Sequence, residues 1–220
     1  ENYIKKNYSI ENLVFMGDGY FDTNIVEMAA LGIAPNNALD QVKKVANSMI
    51  EQIDSLTRIA NEFSTFAKMP YPSKQNLDII KLISHVIEVF GSNVNTSVTF
   101  NSNREEVFLL ADKNQFIRVF NNLLKNSIQA IPDNINGEVN INIDAQDKYV
   151  IIMVSDNGVG ISKEQYEKIF VPNFTTKTTG AGLGLAMVKQ IIENHLGEIT
   201  FKSDVRSGTD FVIKLPLNVE

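Results

Sequence analysis

From Val42 to Ala67 the apolar residues return at alternating steps of four and three: Val42, Ala46, Met49, Ile53, Leu56, Ala60, Phe63 and Ala67. Helical residues three and four apart share a face, so this heptad seam predicts one long helix over residues 38–69 with a continuous apolar stripe. At 1.5 Å per residue that helix is a rod of roughly 45 Å. Ile50, Ile59 and Phe66 widen the stripe, which suits a bundle better than a strict two-stranded coil. One helix cannot bury such a stripe alone, so a partner helix is implied. Pro70 and Pro72 lack the backbone N–H and constrain the residues before them, which ends the helix near Met69. Residues 70–75 then read as a linker, dividing the chain into 1–37, 38–69 and 70–220.

Residues 1–37 hold no sustained period. They mix Asn, Tyr and Gly with short apolar runs, and Met28 to Ile33 fits a short helix stopping at Pro35. After the linker, helical and strand patterns alternate. Residues 78–90 have helical spacing, and 94–100 and 106–110 look like strands. Asp112 is a candidate N-cap for a helix running to Ile131. Val139, Ile141 and Ile143 alternate with polar residues as in a half-buried strand. Residues 149–155 are almost continuously apolar, as in a central strand. A short helix over 163–169, a longer one over 183–194, and strands over 197–203 and 208–215 complete the series. Consecutive strands near the C-terminus predict an α+β class with a mixed sheet, rather than a doubly wound one.

Composition narrows the chemistry. The 220 residues are 44% hydrophobic, enough for a sizeable core. Twenty basic against 26 acidic residues give a net charge of −6, which argues against non-specific nucleic-acid binding. There is no Cys, which excludes disulfides, thiolate nucleophiles and Cys-ligated metals. Only His85 and His195 are present, which excludes a His-rich metal site. No apolar run approaches the roughly 18 residues of a membrane helix, and no cleavable signal pattern follows Glu1, so the chain reads as the soluble part of something longer.

Three segments carry possible chemistry. Asn122 and Asn126 lie four apart, on one helix face, and a carboxamide oxygen suits a hard cation such as Mg²⁺; Asn is equally an ordinary surface residue. Asp156-Asn157-Gly158-Val159-Gly160-Ile161 follows the apolar strand. Its carboxylate accepts only, which suits an exocyclic amine such as adenine's, and its glycines permit close backbone approach; it is equally a Gly-rich turn. Gly180-Ala181-Gly182-Leu183-Gly184-Leu185 opens a helix whose free N–H groups fit phosphate, just after Thr175-Thr176-Lys177. It lacks the Gly-Lys-Ser/Thr of a P-loop, and no βαβ unit precedes it.

Together and in this order the segments resemble the ATP-binding domain of sensor histidine kinases, within the superfamily shared with gyrase, the Hsp90 chaperone and the MutL repair protein. Residues 122–126 resemble the N box, 156–161 the G1 box, Phe170 to Phe174 the F box, 180–185 the G2 box, and Gly208-Thr209-Asp210-Phe211 the last glycine–threonine element. The details are closest to nitrogen-regulation-type kinases, and Ile59 to Pro70 resembles that group's second dimerisation helix. The resemblance covers about Leu39 to Leu217.

It implies a two-layer α/β sandwich of the Bergerat type, preceded by a long dimerisation helix, with ATP and Mg²⁺ as cofactors. Asn126 would hold Mg²⁺, with Asn122 and Lys125 nearby. Asp156 would read the adenine amine, and Thr209 would support that pocket. Gly158 and Gly160 would let the chain pass close to the nucleotide beside Ile161. Residues 171–181 would form a lid rooted at Phe170, with Thr175, Thr176 and Lys177 near the phosphates. Gly180, Ala181, Gly182, Leu183, Gly184 and Leu185 would line the phosphate end. Asn173 departs from the F box, where a second aromatic is common.

Gyrase-like hydrolases place a Glu one turn before the Mg²⁺-binding Asn; here that residue is Asn122, which takes no proton at neutral pH. That favours transfer to a protein nucleophile over hydrolysis. The family's acceptor His, on a first dimerisation helix and followed by an acidic residue, is not found: His85 and His195 read as structural. The resemblance thus implies a kinase catalytic part, dimeric through residues 38–69, relaying phosphate to a response regulator receiver domain from the cytoplasmic portion of a membrane-bound sensor. The alternative is a non-catalytic ATP-binding and dimerisation module; a Ser/Thr-directed kinase fits the heptad helix poorly.

Overall fold

A computed structural model gives the fold. It describes residues 14–16, 31–33, 40–90, 96–176 and 181–217. Close contacts divide the chain into Glu1–Ser64 and Thr65–Glu220.

In the first unit, β1 (Val14–Met16) pairs in parallel with β2 (Leu31–Ile33), Val14 opposite Leu31. The expected helix over Met28 to Ile33 is corrected here: Leu31–Ile33 is a strand. Three residues contain less than one helical turn of pattern, so tertiary pairing decides their state. Helix α1 (Asp40–Ala67) runs to the end of this unit and past it. Along it Ala46 is buried, but Ile50, Ile53, Leu56, Ile59 and Phe63 stay exposed, Leu56 at 66%.

The second unit opens with β3 (Gln75–Asp78), antiparallel to β5 (Phe108–Ala111). The expected linker therefore ends in a strand at Gln75. Helix α2 (Ile79–Phe90) follows directly. Asp78 Oδ1 accepts from the Ile80 amide at 3.1 Å, and Lys81 bridges Asp78 at 3.1 Å and Glu106 at 2.6 Å. Asp112 caps α3 (Lys113–Ala130) as expected, its carboxylate accepting from the Asn114 and Gln115 amides. Phe116, Val119, Phe120, Leu123 and Leu124 form its buried stripe.

The sheet comprises β4 (Thr96–Ser102), β6 (Gly137–Ala145), β7 (Tyr149–Asp156), β8 (Glu198–Asp204) and β9 (Gly208–Pro216). Its order is β4-β6-β7-β9-β8, with β4–β6 parallel and every other pair antiparallel. Strand alternation sends Val139, Ile141 and Ile143 of β6, Val150, Ile152 and Val154 of β7, and Phe211, Ile213 and Leu215 of β9 to one buried face. Helices α2, α3 and α4 (Gly184–Asn194) cover that face, giving the two-layer α+β architecture with a mixed sheet. The helix expected over Lys163 to Ile169 is only a 3₁₀ turn at Lys163–Gln165, followed by turns.

A candidate nucleotide site on the covered face of the sheet

Asp156 continues the inward series of β7, two residues beyond Val154, so its carboxylate points to the helix-covered face and is 8% exposed. Thr209 is its direct cross-strand partner on β9 and is also buried. Asp156 Oδ1 accepts from the Gly158 amide at 3.0 Å and the Thr209 amide at 3.2 Å. Burial pushes this carboxyl above its ordinary range, while those amides and the neighbouring Ser127 hydroxyl pull the other way. Ser127, on α3, is 1% exposed, and its hydroxyl makes no hydrogen bond of regular geometry. A buried hydroxyl left in that state beside a desolvated carboxylate is what a polar ligand group, or a water held by one, would satisfy. These acceptors fit a purine amine.

The other end of the site is built from α3 and the start of α4. Asn122 Nδ2 donates to the Arg118 carbonyl at 2.9 Å, which turns Oδ1 outward. A Cβ placed on Gly184 would lie 2.7 Å from that oxygen, so the two expected segments meet there. Asn126 is half-buried one turn on, and Lys125 is exposed. Leu183 is the N-cap of α4 and offers no side-chain acceptor, so the first N–H groups of the helix carry no side-chain cap. Uncapped N–H groups and the helix dipole together suit an anion. A carboxamide oxygen beside such a helix start suits Mg²⁺ on phosphates.

The segment between Phe170 and Gly182 is held at both ends. The Phe170 ring packs edge-on against Phe201 at 6.0 Å, with Lys189 Nζ 5.7 Å above it. Gly182 has φ +68°, and a Cβ there would fall 2.6 Å from the Asn173 carbonyl carbon and 2.7 Å from Phe174 O, so only glycine fits. Asn173 itself has φ +67°. Asn adopts this left-handed conformation more readily than an aromatic does, which suits the residue found there. Thr175 and Thr176 are exposed, and Ala181 and Leu185 are half-buried. Lys177 and Gly180 lie outside the described residues.

Gly158 and Gly160 approach the chain's own backbone: a Cβ on Gly158 would meet Ala130 O at 2.7 Å, and one on Gly160 would meet Asp204 O at 2.1 Å. The Ile161 amide donates to Ser203 Oγ at 2.8 Å. Ser127 and Ser203 were absent from the sequence-derived set, since a lone serine carries no spacing signal. His195 is the C-cap of α4, a structural role. Its Nε2 accepts from the Asp112 amide at 3.1 Å, so the ring proton sits on Nδ1 and is donated to Ile191 O at 2.7 Å. His85 is exposed, 3.6 Å from Glu88.

Comparison with known proteins accords with this geometry. Residues 111–219 match the family of histidine kinase-, DNA gyrase B-, and HSP90-like ATPases. Residues 2–63 match haloacid dehalogenase-like hydrolases, a resemblance not foreseen, which takes in most of α1. The sensor histidine kinase ZraS of Escherichia coli (strain K12) is 32% identical over 182 residues, 81% of this chain and 39% of ZraS. The chain thus spans about two fifths of that relative. The solved catalytic domain of histidine kinase ThkA is 31% identical with a TM-score of 0.60, covering 66% of this chain and 96% of that one. ThkA in complex with the response regulator protein TrrA gives a TM-score of 0.67 at 27% identity, over 81% of this chain and 52% of that one. With the fold, the carboxylate on the covered face and the uncapped helix start in place, the chain belongs to the histidine kinase-, DNA gyrase B-, and HSP90-like ATPases and carries the ATP-binding catalytic domain of a histidine kinase.

Proposed function

We propose that this chain is the ATP-binding catalytic part of a two-component sensor histidine kinase, working in the cytoplasm. It transfers the γ-phosphoryl of ATP to a histidine, which residues 1–84 do not supply, and from there a response regulator receives it. The observation that carries the reading is α3, which places Ser127 beside Asp156 and sets Asn122 against Gly184. One helix thereby joins a purine end to a phosphate end. Asp156 would accept from the adenine amine. Asn126, with Asn122, would hold Mg²⁺, which neutralises phosphate charge. The uncapped N–H groups of α4, with Lys177, would receive the phosphates. Phosphoryl transfer asks the protein chiefly for positioning and charge stabilisation, which these groups supply.

Residues 1–84 contain no histidine that could serve as acceptor, and residues 2–63 are similar to a different family. Similarity to the ThkA–TrrA complex supports a response regulator as downstream partner. The exposed apolar residues of α1 support a homodimer through residues 38–69; a monomer by light scattering would remove that part.

The test is incubation with labelled ATP, a response regulator, and a histidine kinase that carries its acceptor His but cannot bind ATP. Label on the partner's His, then on the regulator, is the expected result. ATP binding without transfer to any partner would leave the second reading, a non-catalytic ATP-binding and dimerisation module, which the missing acceptor His favours.

A further inference from the structure

Ser203 lies on β8, outside every expected motif, and is 8% exposed. Its hydroxyl has three polar neighbours. It accepts from the Ile161 amide at 2.8 Å, lies 2.8 Å from Gly208 O, and lies 2.9 Å from Thr209 Oγ1. A hydroxyl offers one proton and two lone pairs. The Ile161 amide takes one lone pair. A carbonyl only accepts, so Gly208 O takes the proton. The second lone pair then receives the hydroxyl proton of Thr209. Counting donors and acceptors in this way commits the Thr209 hydroxyl proton to Ser203. The Thr209 amide is committed as well, to Asp156. Toward a ligand, Thr209 Oγ1 therefore shows lone pairs only, beside a carboxylate that also only accepts.

We propose that Ser203 is a positioning residue that sets nucleotide specificity: by holding the Thr209 proton, it makes the purine wall acceptor-only, favouring the adenine amine and opposing the guanine carbonyl. This rests on the nucleotide reading given above. The hydroxyl is well anchored for the task. Tyr166 OH donates to the Ser203 carbonyl, and Ser203 faces Thr209 directly in the β8–β9 register. Backbone at Gly160 presses against the next residue, Asp204, so the hairpin has little room to shift. Without the Ser203 hydroxyl, the Thr209 hydroxyl is free to turn and donate to a guanine carbonyl.

The test is calorimetric titration of ATP and GTP, each with Mg²⁺, into the wild-type chain and into Ser203→Ala, Ser203→Thr and Thr209→Val. Wild type is expected to prefer ATP. Ser203→Ala should narrow the ATP:GTP affinity ratio by about tenfold, the effect of one hydrogen bond turned from repulsive to attractive. Ser203→Thr, which keeps the hydroxyl, should retain the wild-type ratio. If Ser203→Ala does not fold, Thr209→Val carries the test, because deleting the Thr209 acceptor should also narrow the ratio. An equal loss of both affinities, with an unchanged ratio in both variants, overturns the proposal and leaves Ser203 a scaffold residue. Wild type binding neither nucleotide would instead overturn the nucleotide reading itself.

Discussion

The backbone amide of Asp112 donates to Nε2 of His195 at 3.1 Å, joining the start of α3 to the end of α4. Each helix carries one half of the proposed phosphate end of the site, and this bond ties the two together. The ring sits edge-on to Phe116 at 4.9 Å and is 4% exposed. Burial lowers its pKa below the ordinary imidazole value; the Lys74 charge adds to this, while the Ile191 carbonyl and the Asp112 carboxylate oppose it.

A pH dependence of stability follows. With the folded pKa depressed, the unfolded chain binds the proton more readily. The stabilisation is complete above the ordinary value of about 6.5 and is lost as pH falls below it toward the folded pKa. The slope from this group reaches at most about 1.4 kcal/mol per pH unit. Urea unfolding between pH 5 and 8 should show it, and His195→Gln should flatten that slope. An unchanged slope in the variant would place the titration elsewhere.

Asp156→Asn should abolish most nucleotide affinity while leaving the fold intact. The amide keeps an acceptor for the Gly158 and Thr209 amides but loses the charge that draws an amine. Loss of a charged hydrogen bond costs about 1.5–3 kcal/mol, or roughly ten- to hundredfold in the ATP dissociation constant. Titration calorimetry with circular dichroism checks both halves.

Gly184→Ala sets two effects against each other. Alanine gains up to about 1 kcal/mol of helix propensity. A methyl 2.7 Å from Asn122 Oδ1 pushes that side chain aside and breaks its bond to the Arg118 carbonyl, together costing about 1–3 kcal/mol. The clash should win, giving net destabilisation. In an Asn122→Ala background the clash is gone and Gly184→Ala should become neutral or stabilising. Denaturant midpoints of the four proteins in this cycle measure the coupling, and additivity would refute the contact.

Asn173→Gly should preserve or slightly raise stability, whereas Asn173→Phe should cost about 1–2 kcal/mol, because the backbone is left-handed there. Thermal melts of the two variants distinguish this from a packing role, in which phenylalanine would be the better residue.

The legible parts of this chain were those with a period or a cap. The alternation of Val139, Ile141 and Ile143, the apolar run of β7, and Asp112 ahead of the α3 stripe each state their structure locally. The segment Gln75–Asp78 does not, because only Leu77 of it is apolar and its partner strand begins at Phe108. Leu31–Ile33 was misread for a related reason: its neighbour in the sheet is Val14–Met16, not the residues beside it in sequence. In the site, Asp156 and the Gly182–Gly184 segment announced themselves by composition at a strand end and a helix start. Ser127 and Ser203 acquire meaning only from what folding brings against them. The spacing of Gly158 and Gly160 reports that something comes close, and only the fold shows that Ala130 and Asp204 do.

The position of Asp156 has one more consequence. Its carboxyl is held above the ordinary range by burial, so the ionised form needed for an amine is the form that the empty fold disfavours. Stability therefore declines as pH rises from the ordinary carboxylate value to the raised one. On the proposed function, nucleotide would offset that decline by giving the buried charge a partner. Endurance and recognition are thus opposed at one atom, and lineages selected for hardiness alone would be expected to lose this carboxylate before any part of the surrounding core.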